Sequence, residues 1–150
     1  MNRKLLNPLL LTILCFFSYS FKVVYAEEVT LSAENAWIPE APPVSRVMVA
    51  YLTLKNTGPQ DIEIIHAESK MYSSIEFHET IHQDGMARMV RYDSLKIAAD
   101  KTLELKRGGA HLMLFNPRQR LKAGDTVNIK LTTKDNKSKT ILVKVKKAQL

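Results

Sequence analysis

Two groups of side chains in this chain could do chemistry, and they adjoin one another. The first is the string HETIH at residues 78–82. On a helix, H-E-x-x-H brings two histidines one turn apart onto one face, where they hold zinc while the glutamate acts as general base of a peptidase. The second group is softer. Met86 and Met89 follow the Asp84-Gly85 pair in DGMARM, and GGAHLMLF sets His111 two residues before Met113. Thioether sulfur is soft and uncharged, so it suits monovalent copper and serves zinc, magnesium or calcium poorly. Helix or strand decides between the two groups.

The apolar spacing has period two almost throughout. In TVNIKLT, Val127, Ile129 and Leu131 share one face; in TILVKVK, Ile141, Val143 and Val145 do; in TLELK, Leu103 and Leu105 do. RVMVAYLTLKN is apolar on both faces, which predicts a central strand covered on both sides. Turn chemistry (NTGPQD, QDG, KRGG, KAGD, KDNK) separates the runs, and APP at 41–43 fits a loop between two early strands. Seven to nine short strands at roughly 8–12-residue spacing predict an antiparallel sandwich or barrel. Trp37 reads as a core plug or a rim aromatic.

This pattern works against the peptidase reading. SSIE at 73–76 resembles a helix capping box. Yet Ile75 and Phe77 alternate with Glu76 and His78 as in a strand, and Asp84-Gly85 ends the run two residues after His82. As a two-residue hairpin turn, Asp84-Gly85 pairs Gln83 with Met86 and Thr80 with Met89. Met89 then lies diagonal to His78 on one face, about 7–8 Å away at the backbone. His111 and Met113, at i and i+2 of a strand, also share a face, while Leu112 and Leu114 pack inward. The expectation is a cluster of His78, Met89, His111 and Met113 at one end of a β-sandwich. Blue-copper electron transfer would need a thiolate, and an oxygenase site using Glu76 or Glu79 would leave the methionines unused. Storage or transfer of Cu(I) is the chemistry that remains. Two rivals stay open: a zinc peptidase using His78, Glu79 and His82, and a metal-free secreted adhesion module with its methionines in the core.

The start of the chain bears on the compartment. Arg3 and Lys4 precede an apolar run from Leu5 to Phe17, and VYA sets Val24 and Ala26 as the small residues of a cleavage site before Glu27. This predicts a secretory signal over residues 1–26 and a single domain over 27–150; an uncleaved N-terminal anchor is the lesser alternative. Cys15, the sole cysteine, falls in the signal, and Leu14 before it is too bulky for lipoprotein cleavage. A mature chain from Glu27 therefore has no disulfide, thiolate metal site or redox pair. Without Arg3, Lys4 and Lys22 it keeps 19 basic and 15 acidic residues. The late lysines read as a solvated face, and nucleic acid is not an expected partner.

The residues then resemble a known family. The arrangement H-x10-M-x21-H-x-M formed by His78, Met89, His111 and Met113 looks like that of the periplasmic copper chaperones of the PCu(A)C type. AWIPEAPP, VAYLTLKNTG, GGAHLMLF and LKAGDTVNIKLT are similar to that family's running text from about Ala36 to Thr132. The resemblance implies a cupredoxin-like antiparallel β-sandwich or Greek-key barrel that carries Cu(I) on those four residues. It also implies a non-enzymatic monomer that delivers copper in the periplasm. The expected acceptor is subunit II of cytochrome c oxidase, at its dinuclear copper centre, or a second copper carrier. Thr80 stands where many relatives have methionine, and VKVKKAQL lacks the His/Met-rich tail of some relatives. His66 and His82 have no place in the motif and read as surface residues. Lys106, Arg107, Arg118 and Arg120 are candidates to steer an acidic partner.

Overall fold

A computed structural model describes residues 30–148. The expected signal over 1–26 lies outside the described residues. Ten strands follow one another: β1 (Leu31–Pro39), β2 (Val47–Asn56), β3 (Ile62–Glu68), β4 (Ser74–Gln83), β5 (Met86–Tyr92), β6 (Leu95–Ile97), β7 (Thr102–Leu105), β8 (Ala110–Phe115), β9 (Thr126–Thr133) and β10 (Ser138–Lys146). Among the described residues no helix is long and apolar enough to cross a membrane. The count exceeds the expected seven to nine because β6 is only three residues long, too short to leave a clear alternation.

The strands join in the order β5-β4-β8-β2-β1-β10-β9-β3-β6, with β7 also paired to β2. One edge of β2 serves two partners: Val47–Ala50 pair with β8 and Leu52–Lys55 with β7. Inward side chains from both halves of this sheet fall in one buried cluster, so the halves pack face to face. Leu112 and Leu114 of β8 meet Ile129 and Leu131 of β9, Val143 of β10 and Ile38 of β1 there. The alternation seen in TVNIKLT, TILVKVK and around Phe77 sets these inward faces.

Three features depart from expectation. The strands are antiparallel except for β1 and β10, which run parallel through Trp37↔Lys144 and Pro39↔Lys146. Period-two alternation says which face a residue takes but nothing about the direction of its neighbour. β2 is central, yet only one of its faces is fully buried, and Val47 on the other is 42% exposed. The capping-box reading of SSIE fails too, since Ser74 opens β4.

A bulge in β1 matters for what lies on the open face. Glu34 pairs with Thr53 and Trp37 with Tyr51, so Asn35 and Ala36 together oppose one residue of β2; Asn35 takes φ 53°. The extra residue reverses the alternation. Leu31 and Ile38 are both buried despite their odd spacing, and Trp37 is turned onto the face of Tyr51.

Asn56 ties the far end together. Its Nδ2 donates to the carbonyls of Gln60 (2.7 Å), Ile97 and Ala98 (both 3.2 Å), and its Oδ1 accepts from the Gly58 N–H at 3.0 Å. Removing this amide strands buried backbone groups, each costing about 1–3 kcal/mol. Asn56→Ala should therefore lower unfolding stability by on the order of 3 kcal/mol, read as a fall in urea midpoint at unchanged slope.

Candidate metal centre

Four strands of the open face, β5-β4-β8-β2, hold the residues of interest. The β4–β8 register pairs Glu76 with Met113 and His78 with His111. Phe77 and Leu112, one step away, take the buried side, so both histidines lie on the opposite, outer face. The β4–β5 hairpin pairs Thr80 with Met89 and Gln83 with Met86, as the two-residue turn requires. Asp84 (φ 52°) and Gly85 (φ 74°) are both left-handed, the geometry of a type I′ turn.

The four candidate residues thus share one sheet face. His78 and His111 sit side by side at its centre, Met89 lies diagonally beyond His78 on β5, and Met113 follows His111 on β8. The cluster lies on the outer face of one sheet half, at the start of β8, where the β4–β5 hairpin runs on past the last β4–β8 pair. The sequence reading had the shared face right but lacked the strand order that locates it.

Burial and hydrogen bonding make the histidines unusual. His111 is 5% exposed and the His78 side chain 13%. The ring centroids are 6.2 Å apart with planes inclined at 29°. His111 Nδ1 lies 2.9 Å from the carbonyl oxygen of Gly109. A carbonyl can only accept, so Nδ1 carries the proton and Nε2 presents a lone pair. His78 Nε2 lies 2.9 Å from Glu76 Oε2, and Arg91 Nη1 sits 3.3 Å from Glu76 Oε1. The two remaining ring nitrogens, His78 Nδ1 and His111 Nε2, are buried and have no hydrogen-bond partner among the described residues. Two unpartnered buried polar atoms on facing rings call for an explanation. A metal ion bonded to each nitrogen at about 2 Å supplies one.

The methionines differ in access. Met113 is half-buried, while Met89 is 55% and Met86 64% exposed. Met86 is paired with Gln83, one step out of phase with His78, so it stands apart from the cluster face. Exposed Met86 and Met89 are not the core fillers that the adhesion-module reading assumed.

The peptidase reading does not survive. HETIH is strand throughout β4, so His78 and His82 lie four residues apart along an extended chain, about 13 Å. His82 is exposed, and Glu79 takes the other face. There it hydrogen-bonds the Tyr92 hydroxyl and raises its pKa. Among the described residues no three His, Cys, Asp or Glu side chains converge to hold a metal. His66 is also at the surface, 3.9 Å from Glu68.

Aromatic and cationic groups border the face. Tyr51 sits edge-on to His111 at 6.4 Å, Trp37 lies 5.1 Å beyond Tyr51, and Phe115 is 6.5 Å from His78. Arg107 and Lys146 stand over the Trp37 ring at 5.5 and 5.8 Å. Trp37 is thus a half-buried aromatic beside the site. Lys106 and Arg107 precede β8 at the His111 end, with Lys106 paired to Glu104 at 2.7 Å. Arg118 and Arg120 follow the other end of β8, so the four cations do not form one patch. Arg91, directly across from His78, is a nearer cation that the sequence reading passed over.

The fold is that of a small cupredoxin-like β domain, the fold shared by PCuAC domains. The chain belongs to the LpqE-like family: the model described as "Putative lipoprotein LpqE-like" matches residues 31–145. The solution structure of CuI-DR1885 from Deinococcus radiodurans is 34% identical, covers 83% of this chain and 82% of that one, and superposes with a TM-score of 0.62. The copper-bound PCuAC domain from PmoF2 superposes with a TM-score of 0.66 over 79% of this chain and 94% of that chain; at 17% identity the likeness is one of fold. Uncharacterized protein RP573 of Rickettsia prowazekii (strain Madrid E) is 34% identical over 96 residues, 63% of this chain and 53% of the relative. The matched segment therefore spans about half the length of that relative.

The turn that sets the register of Met89 can be tested directly. Gly85 has open space around its Cα, so a side chain there meets strain and not collision. Gly85→Val should cost about 1–2 kcal/mol and weaken the Thr80–Met89 cross-strand contact, read as a lower melting temperature and loss of that pair's nuclear Overhauser effect.

Proposed function

We propose that this protein is a copper chaperone that holds one Cu(I) ion between His78, Met89, His111 and Met113. The observation that carries the reading is the pair of buried, unpartnered imidazole nitrogens on adjacent strands. Methionines flank them on the same face. Neutral nitrogen and thioether donors suit a soft monovalent ion, and cysteine-free residues 27–150 suit an oxidising compartment. The Cu(I)-bound Deinococcus relative supports monovalent copper as the ion.

Access differs among the donors in a way that fits transfer. The histidines are buried and anchor the ion, whereas Met89 stands at the exposed edge. An acceptor's thiolate or imidazole approaches from that side and displaces the Met89 thioether first, forming a metal-bridged intermediate before the histidines let go. The protein changes no covalent bond in this exchange, so the reading is of a carrier and not an enzyme. Arg91, Lys106 and Arg107 near the face give an acidic acceptor a favourable field.

The signal expected over residues 1–26 and the family's description as putative lipoproteins support export. The mature protein then works as a periplasmic monomer. Its acceptor is the dinuclear copper centre in subunit II of cytochrome c oxidase, or a second copper carrier, as the family resemblance implies.

Anaerobic titration of the mature protein with Cu(I) against a competing chelator tests this reading. One ion should bind per chain. His78→Ala or His111→Ala should weaken binding by more than the roughly 10–100-fold lost with an outer-shell partner. Met113→Leu and Met89→Leu should weaken it less, with Met89→Leu also speeding hand-over to a chelator thiol. His82→Ala and Glu79→Gln should have no effect. Failure to compete with the chelator, or stoichiometric zinc in place of copper, contradicts the proposal.

A further inference from the structure

The two histidines reach their unpartnered state by different means, and that difference assigns a role to Glu76. At His111 the backbone does the work, because the Gly109 carbonyl takes the Nδ1 proton and leaves Nε2 bare. At His78 no backbone group plays this part. The Glu76 carboxylate, two residues earlier on the same strand and face, lies 2.9 Å from Nε2.

We infer that Glu76, braced by Arg91, is the positioning residue of this centre: it takes the Nε2 proton of His78 and so turns the Nδ1 lone pair toward copper. The inference rests on the copper reading above and adds which nitrogen of each ring binds. An ionised carboxylate accepts hydrogen bonds and donates none, so the His78 proton belongs on Nε2. In the neutral ring, Nδ1 is then the lone-pair nitrogen, the atom found buried and unpartnered. The two imidazoles therefore coordinate unequally, His78 through Nδ1 and His111 through Nε2.

Arg91 braces the carboxylate from the neighbouring strand. It lies directly opposite His78 on β5 and holds Glu76 Oε1 at 3.3 Å, so each carboxylate oxygen has its own partner. Both the brace and Met89 belong to β5, which couples the orientation of the His78 ring to the strand carrying a thioether donor. Glu76 is not itself placed as a ligand. Its carboxylate sits against the ring nitrogen that points away from Nδ1, on the side of the imidazole remote from the ion. A carboxylate in that position fixes the tautomer and the plane of the ring.

Nitrogen-15 correlation spectra of the imidazoles in the metal-free mature protein test this without relying on copper. The wild-type His78 should be the Nε2–H tautomer and His111 the Nδ1–H tautomer. Adding Cu(I), which is diamagnetic, should shift Nδ1 of His78 and Nε2 of His111. Glu76→Gln, whose amide both donates and accepts, should mix the His78 tautomers, leave His111 unchanged and raise the Cu(I) dissociation constant about 10–100-fold. Arg91→Gln, a surface change that leaves the fold intact if Glu76→Gln does not, should move both readouts in the same direction by a smaller amount.

An Nδ1–H tautomer for His78 in the wild type, or a copper shift at its Nε2, would overturn the assignment. So would a Glu76→Gln protein with unchanged tautomers and affinity. If the wild-type tautomers are as stated but no Cu(I) binds, the copper reading fails and the positioning of the ring by Glu76 stands.

Discussion

Everything at the centre depends on one constraint: the β4–β8 ladder sets His78 opposite His111 and not one residue away. Side chains alternate across a sheet, so a slip of a single residue would bury the imidazoles in the core and push Phe77 and Leu112 into solvent. The hydrophobic core thus enforces the metal-site register. Phe77, Leu112 and Leu114 are buried because they are apolar, and their burial presses both histidines onto the outer face. A second constraint acts at the hairpin. Asp84 and Gly85 in left-handed conformations fix the β4–β5 pairing, and through it the place of Met89.

Much of this was legible in the sequence because it follows from local rules. Asp-Gly between two extended runs specifies a turn length, and turn length specifies cross-strand partners. The alternation of Ile75 and Phe77 with Glu76 and His78 weighed against a helix for HETIH, and the strand over Ser74–Gln83 closes the question. What the sequence hid was long-range. The parallel pairing of β1 with β10 joins the two ends of the domain, and alternation carries no signal of partner direction. The bulge at Asn35 and Ala36 was equally silent, although it decides that Trp37 faces outward beside Tyr51. Glu76 entered the sequence reading only as a carboxylate for an oxygenase site and Arg91 not at all, since their connection to His78 needs three positions on two strands in register.

On the proposed reading, the site divides the tasks of a carrier between its donors. Buried imidazoles give a fixed platform from which solvent is excluded, and an exposed thioether gives a partner somewhere to start. The ring of Tyr51, Trp37 and Phe115 around the platform limits water on the remaining sides. Retention and release are opposed demands, and the proposed division of donors serves both.

Copper K-edge X-ray absorption of the Cu(I)-loaded mature protein reads the donor set most directly. The account predicts a first shell of two nitrogen and two sulfur scatterers, the imidazoles appearing through their outer-ring scattering, with one sulfur lost in Met113→Leu. A shell of nitrogen and oxygen alone, unaltered by that substitution, would contradict it.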